Sequence, residues 1–578
     1  MSLPARLIAA LAAFLLALGA ARAQLIEEDE DETPAKPAAG APGPASKLPA
    51  QELSAPLLYE FLLGEIAAQR GSPGLAAQTY LELARRTRDP RVARRAVEVA
   101  NGARMPDLAL EAAQLWHETD PASTQALQTL TLLLVGRKRV EEAEPYLAKL
   151  LASHPTAAAN GFMQLARLLA PNLDQAANLR LVQRLVSRYP ELPQARFALA
   201  QAAAAASEDA LALEEVRRAA ELRPDWDLAA IYEAQLLARR SPGEAAKRLE
   251  GYLEKYPDSR EARMSYARVL ATDKRFPEAR AEFERILARN PKDTDAVYAV
   301  GLLALQVKDY DTAESNMKRL LDLGYRDPNG VRYTLGQIAE ERKDWPGAIE
   351  WYKTIVRGEH AVPARLRTAN AIARQGKLEE ARAFLRSVKV AEESQQVQLL
   401  IAESQLLREA KLHQEAFDFL AEALLKRPEQ PDLLYDQALA AERVERFDVL
   451  EANLLKLIEL KPDHAHAYNA LGYSFADRNL RLSEARKLIE RALELAPQDF
   501  FIIDSLGWVL YRMGDLQGAA RELRRAWSGR PDGEIGAHLG EVLWMLGERE
   551  EARRIWDESL KAAPENETLH KTLKRFQP

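Results

Sequence analysis

Proline recurs in this chain at an almost fixed interval, and no other feature restricts its fold as strongly. Pro90, Pro121, Pro155, Pro190, Pro224, Pro257 and Pro291 follow one another at 31 to 35 residues, and Pro428, Pro462, Pro497, Pro531 and Pro564 at 33 to 35. The 137 residues between the two runs equal four such intervals, so the phase is kept. A period of about 20 to 50 residues marks an array of stacked units rather than closed globular domains. Each proline is expected to close a helix, because the chain cannot continue helically there.

A second marker runs in step. Twelve residues before the closing proline stands a small residue: Ala109, Ala143, Ala212, Ala245, Ala279, Ala416, Ala485, Ala519 and Ala552. Ala313, Ala348 and Ala381 carry it through the interval that lacks closing prolines. Two helices approach closely only where one has almost no side chain, so Asn178 and Leu450, which break the series, are expected to loosen or tilt their hairpins. Apolar residues four and seven positions later, such as Phe283 and Ile286 or Leu420 and Ala423, lie on one helical face. About twelve residues earlier a further small position holds Gly301, Gly336, Gly472, Gly507 and Gly540. Glycine inside a helix costs about 1 kcal/mol relative to alanine, so its recurrence in register requires a return in packing.

Leu-Gly, a later Ala, an apolar or aromatic residue and a final Pro together resemble the tetratricopeptide repeat. The best matches fill 465–564. They read Tyr468, Leu471, Gly472, Phe475, Ala485, Ile489, Ala492, Pro497; Leu506, Gly507, Leu510, Ala519, Leu523, Ala526, Pro531; and Leu539, Gly540, Leu543, Ala552, Trp556, Pro564. The resemblance implies an all-α solenoid of about fifteen helical hairpins, a right-handed superhelix spanning 55–578. In that family the first helix of each unit lines the concave face, with its second, fifth, ninth and twelfth positions toward a ligand.

That register assigns protein binding to His466, Asn469, Tyr473, Phe501, Asp504, Trp508, Tyr511, Arg512, Trp544 and Met545. Five are large aromatics in a chain that is 7% aromatic, and aromatic and Arg side chains dominate binding hot spots. The competing reading is that these rings cap the end of the apolar spine. A weaker set of groove positions is Tyr298, Tyr333, Asn370 and Tyr435, equally readable as ordinary amphipathic filler. The basic clamp by which some chaperone-binding relatives hold a terminal carboxylate is not evident, so C-terminal peptide capture is not expected.

Composition narrows the partner. Residues 1–54 hold four basic and seven acidic side chains, leaving 75 basic against 79 acidic in the rest. That balance offers no surplus of cations for phosphate, so nucleic acid is not expected. Arg6, the apolar run Leu7 to Ala21 and Ala21-Arg22-Ala23 read as a secretory signal over 1–23. Residues 24–54, with six acids from Glu27 to Glu32 and a Pro/Ala-rich stretch to Pro49, read as a flexible, solubilising leader. The alternative is a retained membrane anchor, for which about fifteen apolar residues are short, and no later segment is apolar enough to span a bilayer. The cleaved protein is expected to be soluble, and periplasmic if its source is a Gram-negative bacterium. There is no cysteine, which excludes disulfides, thiolate metal sites and a lipobox.

No cofactor or metal site is expected. His464 and His466 stand two apart, which on a helix would point them to different sides. Ser315 and Lys318 share the Ser-x-x-Lys spacing, but within an ordinary second helix. Fourteen residues follow Pro564, too few for a catalytic module, so the chain is read as non-enzymatic. Length, exported N-terminus, leader and C-terminal repeats resemble the proteobacterial envelope adaptors that bring a carboxyl-terminal processing protease to its clients. The alternative is a structural scaffold for an envelope assembly or polysaccharide-export complex.

Overall fold

The computed structural model describes residues 49, 52 and 54–576, apart from 154, 155 and 171. The signal, nearly all of the leader and Pro155 therefore lie outside the described residues. Among those described there are 31 helices and no strand, an all-α solenoid of helical hairpins.

The chain divides into two compact units at Tyr325/Arg326. In the first, eight hairpins run from Ala55–Gln69 with Pro73–Thr87 to Thr294–Gln306 with Tyr310–Asp322. In the second, seven run from Pro328–Glu341 with Trp345–Lys353 to Gly533–Leu546 with Arg549–Ala562, followed by a last helix, Glu567–Phe576.

A recurring two-residue device closes the hairpins. Lys308 adopts a left-handed backbone (φ 60°), and the next amide, of Asp309, donates to the Ala304 carbonyl at 2.8 Å. The Asp309 carboxylate then accepts from Thr312 N at 3.2 Å. One dipeptide thus ends the first helix and caps the second. Lys343 with Asp344 and Gly514 with Asp515 repeat it, the two carboxylates accepting from Gly347 N at 3.0 Å and Gly518 N at 2.8 Å.

Prolines such as Pro224, Pro257, Pro291, Pro462 and Pro497 lie in the turns after second helices, as expected. Pro90 does not. It is the first residue of Pro90–Gly102, capped by Asp89, at the one helical position where a missing N–H leaves nothing unsatisfied. The interval between Pro291 and Pro428, which lacks closing prolines, holds the predicted four hairpins. Two of their second helices, Trp345–Lys353 and Leu378–Ser387, are only nine and ten residues long and stop without a proline.

All twelve marker alanines are fully buried. A Cβ at Gly472 would lie 2.7 Å from Ile489 Cγ1, and one at Gly507 2.5 Å from Leu523 Cγ. At Gly336 and Gly540 it would enter the rings of Tyr352 and Trp556. The glycines therefore admit the bulky residue of the facing helix, which is the packing return their helix cost required.

The two exceptions behave differently. Asn178 is buried and bonded to Asn172 in both directions, at 2.8 Å and 3.1 Å. Its helix and the preceding Ala157–Leu169 pack on the following Pro193–Ala205 more than on each other, so this hairpin is the loosened one. Leu450 does not loosen its hairpin. It is buried in one core with Ala438, Ala440 and Ala441 of the facing helix, whose small side chains make room for it.

Candidate functional site: the first helices of the last three hairpins

Helices Ala465–Asp477, Phe500–Arg512 and Gly533–Leu546 pack side by side. Of the ten residues assigned to the groove, His466, Phe501 and Met545 are exposed; Asn469, Tyr473, Tyr511, Arg512 and Trp544 are half-buried. Asp504 and Trp508 are buried, so they form the floor rather than the surface.

The floor is a polar and aromatic network. His538 Nδ1 lies 3.0 Å from Asp504 Oδ2, and the His538 ring lies nearly parallel to Trp508 with centroids 4.2 Å apart. Tyr473 donates from its hydroxyl to Glu534 at 3.3 Å, and Tyr511 to Glu541 at 3.0 Å. Arg575 of the last helix pairs with the other Glu541 oxygen. Arg512 donates to the Asp477 carbonyl at 3.1 Å and reaches over Trp508.

His538, Glu534 and Glu541 were not among the assigned residues. Glu541 follows Gly540 just as Trp508 follows Gly507, and Glu534 holds the second position, as Phe501 does, so the register already contained both. His538 stands 34 residues, one period, after Asp504.

Burial would push His538 down, but the Asp504 carboxylate, by charge and by hydrogen bond, lifts it above the ordinary histidine range, with Glu534 and Glu541 adding to the rise. Glu442 and Glu534 are both raised, first by burial and then by neighbouring carboxylates: Asp477 and Glu534 act on Glu442, and Asp504 on Glu534. Tyr473, among the same carboxylates, is pushed well above its usual value by burial.

Trp544 behaves as a cap. It packs on Trp556 at 5.6 Å and on Phe576 of the last helix at 6.3 Å, with Arg549 and Arg553 over its face.

The weaker aromatic set is engaged within the array. Tyr298 stacks on Tyr325 at 5.4 Å and Tyr333 on His360 at 5.3 Å; Tyr435 meets His464 at 5.4 Å. Each partner ring comes from the connection leading to the next hairpin, as Tyr189 does for Phe162. Asn370 is half-buried. His464 is not inside the helix but is its N-cap, and its Nδ1 accepts from Ala467 N at 3.1 Å. Among the described residues no three His, Cys, Asp or Glu side chains gather as a metal site.

Such an array of hairpins, with a surface of mixed rings and polar groups along its first helices, defines a helical-repeat scaffold for protein interaction. Residues 236–303, 298–363, 435–500 and 505–567 match the tetratricopeptide repeat family. A TPR repeat-containing protein of Pseudomonas aeruginosa is 32% identical over 486 residues, covering 84% of this chain and 82% of that one. The chain belongs to the tetratricopeptide-repeat family. Among solved structures, a tetratricopeptide repeat protein from Parabacteroides merdae is 17% identical, with 43% of this chain and 97% of that chain covered and a TM-score of 0.35. A thermophilic TPR protein of Thermus thermophilus is 20% identical, with 31% and 99% covered and a TM-score of 0.29. No described helix is long and apolar enough to cross a membrane.

Proposed function

We propose that this protein is an exported adaptor of the bacterial envelope, which holds a partner enzyme together with its clients on the first helices of its last three hairpins. One observation carries the site. Exposed His466, Phe501 and Met545 lie on three helices interlocked by the Asp504–His538 pair and the Tyr473–Glu534 hydrogen bond. Exposed rings over a rigid, interlocked base lose little entropy on binding, which favours them as anchors. The periplasmic location rests on the N-terminal signal pattern, and a carboxyl-terminal processing protease as partner rests on the resemblance to envelope adaptors. The array itself supports protein partners in general.

The test is capture from periplasmic extract by the full chain and by a His466→Ala/Phe501→Ala variant. Recovery of a processing protease by the parent, reduced at least tenfold in the variant, is the expected result. Recovery of export or secretion components alone would replace the adaptor with the assembly scaffold.

A further inference from the structure

The first helix of the array, Ala55–Gln69, has its charged groups turned inward and its apolar ones outward. Glu60 is held by Arg86, and Glu65 by the Tyr80 hydroxyl and by Arg95 at 3.2 Å, all from the two helices that follow. Leu58, Tyr59, Phe61, Leu62 and Ile66 are 42 to 66% exposed. Leu58, Tyr59, Leu62 and Ile66 fall within an arc of about 100° on the helix, away from buried Gly64 and Ala67. Later first helices of the same unit pack on the second helix of the hairpin before them, but among the described residues no helix precedes this one. At the C-terminal end of the chain Glu567–Phe576 supplies such a cover, stacking Phe576 on Trp556. An end unit stays soluble alone only with a polar outer face, and this one is apolar.

The occupant of this face must be apolar and bring no unpaired charge. Residues 27–47 contain no Val, Ile, Leu, Met or aromatic side chain, so that stretch of the chain cannot supply the cover. A bilayer surface fits poorly too. Helices that lie in one carry Lys and Arg on their polar face, whereas this helix has neither and follows the six acids Glu27 to Glu32, which anionic headgroups repel. A second copy of the helix does fit. Both carboxylates are neutralised within their own chain, so pairing opposes no free charges. The exposed side chains leave about 500 Å² to cover on each copy, and about 1,000 Å² in a pair is the least that a specific interface needs.

We infer that two copies of this chain associate through Ala55–Gln69, the helices antiparallel about a two-fold axis that sets Leu62 beside its own counterpart. This goes beyond the adaptor reading, since it uses neither the groove nor the groove's partner, and it places two arrays in one particle.

The test is sedimentation equilibrium of the full chain, which is expected to show dimers with a dissociation constant of about 10 µM. Leu62→Glu, at an exposed position, is expected to weaken the dimer at least about tenfold while circular dichroism stays unaltered. The chain has no cysteine, so Leu62→Cys is expected to be joined to its own counterpart by a short bismaleimide, whereas Leu425→Cys, at a position 83% exposed on another helix, is not. Monomers at tenfold higher concentration, no cross-link through position 62, or dimers that Leu62→Glu leaves unchanged would overturn the proposal. Monomers that become dimers only when residues 1–23 are removed would assign the face to the apolar run Leu7 to Ala21. Recovery of the chain with vesicles of phosphatidylethanolamine and phosphatidylglycerol, abolished by Leu62→Glu, would assign it to a bilayer. Either result would overturn a second copy as the occupant.

Discussion

Asp504 and His538 face each other across neighbouring helices at 3.0 Å, both buried, and tie the fourteenth hairpin to the fifteenth. Because His538 is raised in the folded chain, its contribution is fully present below the unfolded histidine value of about 6.5 and is lost as pH rises through the raised value. Glu534, also raised, acts in the same direction, since the folded state holds its proton longer than the unfolded one. Hydrogen exchange in 500–562 should therefore accelerate as pH rises from about 6 through the titration of His538. Exchange that slowed over this range, after correction for intrinsic rates, would contradict the pairing.

Asp504→Asn should bring His538 below the ordinary histidine range, because burial then acts with less opposition. The loss of one partner of a buried pair should destabilise this end by about 3 to 5 kcal/mol. NMR titration of the His538 ring checks the first effect and urea unfolding the second.

Gly507→Ala places a methyl 2.5 Å from Leu523 Cγ and 3.2 Å from the Ala519 carbonyl. Although alanine is the better helix former, the change should destabilise the hairpin by about 1 to 3 kcal/mol through overpacking. A rise in the urea midpoint would show that the helices can part without penalty.

Leu450→Ala restores the small residue that twelve other hairpins carry, yet it should destabilise the protein by about 2 to 5 kcal/mol. Leu450 is 1% exposed and packed among alanines that cannot expand to fill its place. Thermal unfolding, followed by hydrogen exchange in 431–460, distinguishes this from a neutral return to the repeat pattern.

Removing 565–578 should expose Trp544 and Trp556 and free Glu541, since Phe576 stacks on Trp556 at 6.1 Å and Arg575 pairs with that carboxylate. A red-shifted tryptophan emission with loss of helix in 533–562 is expected, as terminal repeats require a covering element. An unchanged spectrum would mean that the last helix packs without supporting the array.

Much of this architecture was legible in the residues themselves. The fifteen hairpins, their spacing and the twelve buried alanines follow from a period that repeats because each unit meets the same neighbour. The groove was less legible, because a register names which helical positions face one way and not how far neighbouring side chains fill the space there. Trp508 and Asp504 hold groove positions and are nonetheless buried, since His538 comes from the next helix to meet both.

What the sequence determined by itself was local and repeated: where helices stop, which dipeptides turn the chain, and which small residues let helices meet. Only the tertiary structure decided matters that depend on pairs far apart in the chain. It showed that Leu450 is accommodated while Asn178 opens its hairpin, that Glu541 is claimed by Arg575, and that two shortened helices break the regular cover. The reason is that a side chain's volume and charge are fixed by its identity, whereas the space and partners it meets are set by a second segment whose own residues vary independently.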